Sequence, residues 1–202
     1  MKSIRILTEK YRALHSYYSE KKMNVVRGQI ISGLLPKYGV GAELGVFRGK
    51  FSPYLFLNTN AIKLHLIDPW FFLTAHWNWA IGNKSTVDAV RQILKRWQKE
   101  IEEKKIFVHI GDDREVLKTF PDGYFDWVYL DSSHQYEHTV EELIILKDKV
   151  KQNGIIAGDD WRPDPKHRHH GVYKAVTEFN NLYGYSIIYS DDKNLQWAIT
   201  KH

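Results

Sequence analysis

From residue 39 onward the apolar positions change period in a regular way. Short apolar runs alternate with stretches whose apolar residues recur every three or four positions, the patterns of buried strands and amphipathic helices. The runs are VGAELGV (40–46), KLHLID (63–68), KIFVHI (105–110), FDWVYLD (125–131) and GIIAGD (154–159). Between them the spacing predicts a helix from Lys50 and a long one over about 85–104 (Val87, Val90, Ile93, Leu94, Trp97, Ile101). It also predicts a short helix over 113–120, stopped by Pro121, and helices over 137–150 and 171–182. The chain closes differently: YSIIYS (185–190) and LQWAIT (195–200) are separated only by the turn DDKN, so the two strands are antiparallel. Upstream, residues 3–20 and 24–37 read as helical, the second ending at Pro36 and Gly39.

Strands alternating with helices imply an α/β fold, a doubly wound, mostly parallel seven-stranded sheet with a C-terminal antiparallel hairpin. No repeat, low-complexity tract or linker interrupts it. The division expected is an N-terminal helical extension over 1–37 and one main domain over 38–202.

Composition narrows the class. At 202 residues, with 43% hydrophobic and 14% aromatic residues, the chain can bury one core. No apolar run reaches the roughly 18–20 residues of a membrane span, and the charged start MKSIRILTEKYR has no secretory apolar stretch. There is no cysteine, which removes disulfides and thiolate metal sites and makes a cytoplasmic location the expectation. The net charge of +5 is uneven: residues 1–24 hold six Lys/Arg against Glu9 and Glu20, and the remainder is nearly neutral. A solvated basic helix explains that surplus better than a nucleic-acid partner, which would place a basic stripe with aromatics across the fold.

In an open α/β sheet, ligands bind beyond the carboxyl ends of the strands. Here the runs deliver Glu43 and the Gly45–Gly49 turn, then Asp68, then Asp112 and Asp113, then Asp131, then Asp159 and Asp160. One strand-terminal Asp is ordinarily a helix cap, and Asp112, three residues before Glu115, fits that role. A carboxylate at every parallel strand does not. Asp159 and Asp160 are adjacent like charges at the end of a buried strand, an arrangement that needs a neutralising partner.

AELGVFRGKFS carries E-x-G-x-x-x-G at Glu43, Gly45 and Gly49, and so resembles the first motif of class I S-adenosylmethionine-dependent methyltransferases. The terminal hairpin resembles the last two strands of that Rossmann-like fold. IDPW, the segment from GDDREVLKTF to LDSSHQYE, and GIIAGDD bring the likeness closest to the metal-dependent O-methyltransferase branch, with its catechol and macrolide-sugar enzymes. The resemblance spans about residues 38–200. It implies S-adenosyl-L-methionine as cofactor, with Gly45 and Gly49 letting the backbone approach its methionine part and Glu43 near its amino group. Asp68 would accept the ribose hydroxyls, while Trp70 and the Gly111–Asp112 turn would flank the adenine; a core position is the alternative for Trp70. Asp131, Asp159 and Asp160 would hold a divalent cation such as Mg²⁺, which oxygen ligands without sulfur suit. Otherwise Asp160 caps the next segment and Asp159 pairs with a Lys or Arg. His134 matches the general base of the catechol enzymes, or else anchors its loop; a neutral imidazole can take a hydroxyl proton near pH 7. His138, one turn further, is expected to face solvent or pack.

Two tracts flank this edge. WRPDPKHRHHG (161–171) suits a loop over the site with Trp161 as a pocket wall, and PWFFLTAHWNW (69–79) the opposite wall. Both equally suit packing or a homo-oligomer surface. The reading implied is methylation of a small hydroxylated molecule, a sugar or phenol. A second reading is a metal-dependent hydrolase using Asp131, His134, His138, Asp159 and the 167–170 histidines. It leaves Glu43, the glycine turn and Asp68 without a role.

Overall fold

The computed structural model of the protein describes residues 22–70 and 84–201. The expected helix over 3–20 and the aromatic tract beyond Trp70 lie outside the described residues.

Helix α1 (22–34) leads into strand β1 (Val40–Leu44), helix α2 (Ser52–Thr59) and strand β2 (Lys63–Asp68). Helices α3 (Lys84–Arg96) and α4 (Gln98–Glu102), strand β3 (Ile106–Ile110), helix α5 (Asp113–Lys118), strand β4 (Phe125–Leu130) and helix α6 (Tyr136–Lys149) follow. Strand β5 (Val150–Gly158), helix α7 (His170–Tyr183) and the strands β6 (Tyr185–Asp191) and β7 (Gln196–Lys201) complete the chain. The seven strands are ordered β3-β2-β1-β4-β5-β7-β6, parallel except that β7 runs antiparallel to both β5 and β6. This is the Rossmann-like sheet with its terminal hairpin that the alternation predicts.

Alternate residues of each strand feed opposite layers, as the pleat requires. Leu64, Leu66, Trp127, Tyr129, Ile155 and Ala157 pack with α1, α2 and α3, whereas Ile67, Val128, Leu130, Ile156, Trp197 and Ile199 pack with α5, α6 and α7. Residues 22–34, assigned by sequence to an extension, belong to the first layer: Ile31 and Leu35 are buried in it.

Two elements depart from the pattern. The predicted long helix breaks at Trp97 (φ −103°, ψ 15°), whose ring turns inward edge-on to Phe56 at 5.5 Å. Strand β5 starts four residues early, because Val150 pairs with Phe125 ahead of a register shift; the Lys151–Asn153 stretch falls within that shift and is exposed, which leaves no apolar alternation to read. No described helix is long and apolar enough to cross a membrane.

Candidate active site

The strand order reverses between β1 and β4, and the crevice beyond their carboxyl ends is where such sheets bind ligands. β1 ends at Leu44, whose carbonyl accepts the Asp131 N–H at 2.8 Å. Gly45 follows at φ +81°, and a Cβ there would lie 2.1 Å from the Asp131 carbonyl oxygen, so the turn and the end of β4 approach this closely only with glycine. Gly49 closes the turn at φ +58°, donating its N–H to Val46 O at 2.7 Å.

Asp68 holds that turn from the side. Its Oδ2 accepts the Phe47 N–H at 2.8 Å and its Oδ1 the Trp70 N–H at 2.6 Å, while the Trp70 indole donates to Phe47 O at 2.7 Å. Burial pushes the Asp68 pKa up, opposed by these backbone donors. Trp70 is 1% exposed and packs in the first core layer, which makes it the core position of the two alternatives and not an open stacking face. Asp112 caps α5 and gives both carboxylate oxygens to Arg114, with contacts of 2.9 and 2.7 Å that hold its pKa low. An adenine amine facing Asp112 would therefore have to share it with a guanidinium.

Inside the turn, Glu43 is 2% exposed and its Oε2 has no hydrogen-bond partner among the described residues. Burial pushes its pKa to about 8, against the pull of Ser52 and Arg27. Glu43 lines a cleft of about 350 Å³ together with Asn24, Arg27, Gly45, Phe47 and Asp131. An unpartnered buried carboxylate at the wall of a cleft of this size, beside a glycine turn and a second carboxylate, fits the amino-acid end of the implied cofactor.

The adjacent pair Asp159–Asp160 is resolved by backbone geometry. Asp160 adopts φ +61°, a left-handed conformation that aspartate tolerates, and the two carboxylates find different partners. Asp159 Oδ2 lies 3.0 Å from Arg27 Nη2, and the same nitrogen donates to Asp131 Oδ2 and to the Tyr129 hydroxyl, both at 2.8 Å. Tyr129 donates in turn to Gln196 Oε1 at 2.8 Å, and Gln196 Nε2 donates to Asp159 Oδ1 at 2.5 Å, closing a ring. The Arg27 guanidinium also lies 4.6 Å above the Phe51 ring. Burial and the Asp131 charge push the Asp159 pKa up, against Arg27. Arg27, which the sequence reading did not single out, is thus the lysine-or-arginine partner offered there as the alternative for Asp159.

Asp160 takes the histidines. His134 Nδ1 lies 2.8 Å from its Oδ2, and His169, stacked on His134 at 4.1 Å, places Nδ1 3.1 Å from Oδ1. Despite desolvation, Asp160 raises the His134 pKa above its ordinary value, while the histidines hold Asp160 well below the carboxylate range. An Nδ1–H donated to Asp160 leaves Nε2 of a neutral His134 as the acceptor. Asp131 lines both the cleft with Glu43 and a smaller cavity with His134 and Asp159, so it borders both halves of the site. Oxygens of Asp131, Asp159 and Asp160 do come within 4.8 Å of one another, as a metal set requires, but the Arg27 guanidinium bridges two of them.

The flanking loop is tied down. Trp161 is 5% exposed and packs edge-on to Tyr173 at 4.7 Å in the second core layer, so it packs and does not wall a pocket. His170 Nδ1 meets Arg162 O at 2.8 Å and Asp164 receives the Lys166 N–H at 2.9 Å, while His169 at 3.1 Å and the Arg162 Nε at 3.7 Å reach Asp160. His138 turns away from His134: it is buried against Asp113 at 2.9 Å and lies 3.7 Å from Glu142. The two histidines therefore do not form the shared face that the hydrolase reading needs.

Residues 42–161 match the family described as "Methyltransferase domain", more than half of the chain. Among solved structures, a proposed S-adenosyl-L-methionine-dependent methyltransferase from Methanococcus maripaludis aligns with TM-score 0.61 and 15% identity, covering 89% of this chain and 85% of that one. A SAM-dependent methyltransferase from Aquifex aeolicus gives 0.55 and 16%, covering 82% of each chain. A precorrin-6y C5,15-methyltransferase from Geobacter metallireducens gives 0.56 and 16%, covering 83% and 82%. At these identities the structures share the fold. No curated protein matches the sequence.

Proposed function

The chain belongs to this methyltransferase family, of the class I S-adenosylmethionine-dependent kind, and from that premise we propose that it methylates a hydroxyl oxygen of a small sugar- or phenol-like molecule. The observation that supports an oxygen acceptor is the His134–Asp160 pair, set beside the cofactor cleft across Asp131. In this reading Glu43 receives the cofactor's ammonium, Gly45 and Gly49 let the backbone come close, and lone pairs left on Asp68 accept the ribose hydroxyls. Trp70 and Asp112 brace the turns around them.

S-adenosyl-L-methionine supplies a methyl group activated on a sulfonium. His134 Nε2 would take the proton of the acceptor hydroxyl, leaving that oxygen to receive the methyl group that the bound cofactor would supply from its sulfonium. Asp160 holds the resulting imidazolium, and His169 covers it. General-base help of this kind contributes about 10²–10⁴-fold.

The test uses calorimetry with S-adenosylhomocysteine and labelled methyl transfer to a panel of catechols and sugars. The homologue should bind, and His134→Ala should lower the rate by about 10²–10⁴-fold with affinity for the homologue kept. The wild-type rate should rise with pH through a value above the ordinary 6.5 of histidine, because the neutral ring is the base. Asp160→Asn removes the charge that favours the imidazolium, so its limb should move to lower pH. A His134→Ala enzyme as fast as wild type at every pH would overturn the oxygen-acceptor reading.

A further inference from the structure

The resemblance assigns the space between Asp131, Asp159 and Asp160 to a divalent ion, and the structure gives that space a different tenant. We propose that the Arg27 guanidinium is the resident cation of this site, supplied by helix α1, and that it makes the methyl-transfer centre independent of metal.

One nitrogen, Nη2, is 2.8 Å from Asp131 Oδ2 and 3.0 Å from Asp159 Oδ2. A divalent ion bonded to both oxygens at the usual roughly 2.0–2.6 Å would fall against that nitrogen, cation against cation. Arginine and ion therefore exclude each other. Nor is Arg27 a loose surface charge that an ion could push aside. Its side chain is 15% exposed, its guanidinium sits over Phe51, and the ring through Tyr129, Gln196 and Asp159 fixes its donors with both intermediate side chains fully buried. A planar guanidinium that stays charged at any working pH suits such a fixed, desolvated position better than an ammonium.

Helix geometry explains the placement. Asn24, Arg27, Ile31 and Leu35 follow one another at helical spacings of three and four, and Asn24, Ile31 and Leu35 are buried. Arg27 thus rides the face of α1 turned to the core and reaches the strand ends. In a site of this kind it offers a fixed positive charge beside the cleft it lines. That charge is a positioning element for an acceptor oxygen and a brake on capture of divalent ions.

The inference rests on the methyltransferase reading only for its catalytic sense; its central test does not. Melting of the full chain is followed in EDTA and in Mg²⁺ or Mn²⁺. Wild type should show no shift. Arg27→Met keeps most of the apolar stem and frees the Asp131 and Asp159 carboxylates, so Mn²⁺ at a hundredfold excess over Kd should raise its Tm by roughly 5–10 °C. Adding Asp131→Asn should remove that rise. If Arg27→Met does not fold, Arg27→Lys serves: its shorter, pointlike charge leaves the ligands less covered, so a smaller ion-dependent rise is expected. A wild-type protein stabilised by the ions, or a folded Arg27 variant indifferent to them, would overturn the proposal. Failure of wild type to bind S-adenosylhomocysteine would count against the methyltransferase reading alone and leave the melting comparison intact.

Discussion

Two acidic clusters sit behind the same sheet edge and are kept neutral in opposite ways. In the first, Asp131, which lines the cleft, Asp159 and Asp160 meet Arg27, His134 and His169. In the second, Asp113, His138 and Glu142 are sealed between α5 and α6, with exposures of 4%, 8% and 0%. Asp113 faces His138 at 2.9 Å, Glu142 Oε1 accepts the Ser132 hydroxyl, and Glu142 Oε2 has no hydrogen-bond partner among the described residues. Burial, reinforced by Asp113, pushes the Glu142 pKa well above its ordinary value. The open cluster is balanced by the Arg27 guanidinium and by imidazoles brought from elsewhere in the chain, whereas burial in the sealed one favours the protonated form of Glu142. Charge survives burial only where a fixed counter-ion has been provided.

The largest effect should come from removing that counter-ion. Arg27→Met leaves the half-buried Asp131 and Asp159 together without it, and a loss of about 3–5 kcal/mol is expected from urea unfolding at pH 7.5. The loss should shrink as pH falls, since a carboxylate can then take up a proton and the open cluster adopts the sealed cluster's solution. Arg27→Met with Asp159→Asn should cost less than the sum of the two changes, a coupling readable in a double-mutant cycle.

Glu43 is the intermediate case, a buried carboxylate at the cleft with one oxygen unpartnered. With its folded pKa raised to about 8, the native state keeps a proton that the unfolded chain gives up, so wild-type stability falls as pH rises from 4.5 towards 8. Glu43→Gln should escape that slope and be more stable than wild type at pH 9 by about 1–3 kcal/mol. The same variant should bind S-adenosylhomocysteine about 1.5–3 kcal/mol more weakly, measured by calorimetry, having lost its charged bond to the ammonium. A steeper, ion-pair-like loss of stability at neutral pH would place Glu43 with the open cluster.

The smallest change is expected at Glu142→Gln. An amide replaces a carboxyl that is already neutral, so the difference at pH 7 should stay under about 1 kcal/mol. Because the raised pKa makes wild type lose stability with rising pH, the variant should gain relative to it between pH 7 and 10. A loss at pH 7 comparable to that of Arg27→Met would erase the contrast between the clusters.

Much of this was legible in the chain. Period switching gave five parallel strands, their helices and the hairpin, because those runs are buried on one or both faces. Strand-terminal carboxylates located the edge, and the hydrophobic pattern cannot say more about where each carboxylate finds its partner. Arg27 escaped notice for a physical reason: it falls just past the basic 1–24 surplus, in a stretch whose charges balance, so no excess of charge marks it. The available signal was its spacing of four from Ile31 and eight from Leu35, a cation on an apolar stripe. Trp70 and Trp161 invited roles as ligand walls, yet large aromatics beside a site are as often the packing that shapes it. The break at Trp97 and the early start of β5 depend on tertiary contacts that no local period encodes.

The ring through Arg27, Tyr129, Gln196 and Asp159 also has a kinetic meaning. Its links span 102, 67 and 37 positions of sequence, so it cannot close until distant parts of the chain have met. Contacts of such separation form late, after local helices and neighbouring strands. If β4 and β5 pair before α1 docks, their acidic ends stand without the guanidinium for an interval in which they could chelate an ion. Mn²⁺ in the refolding buffer should then hold the chain there and slow the final step, leaving the finished protein indifferent to the ion that delayed it.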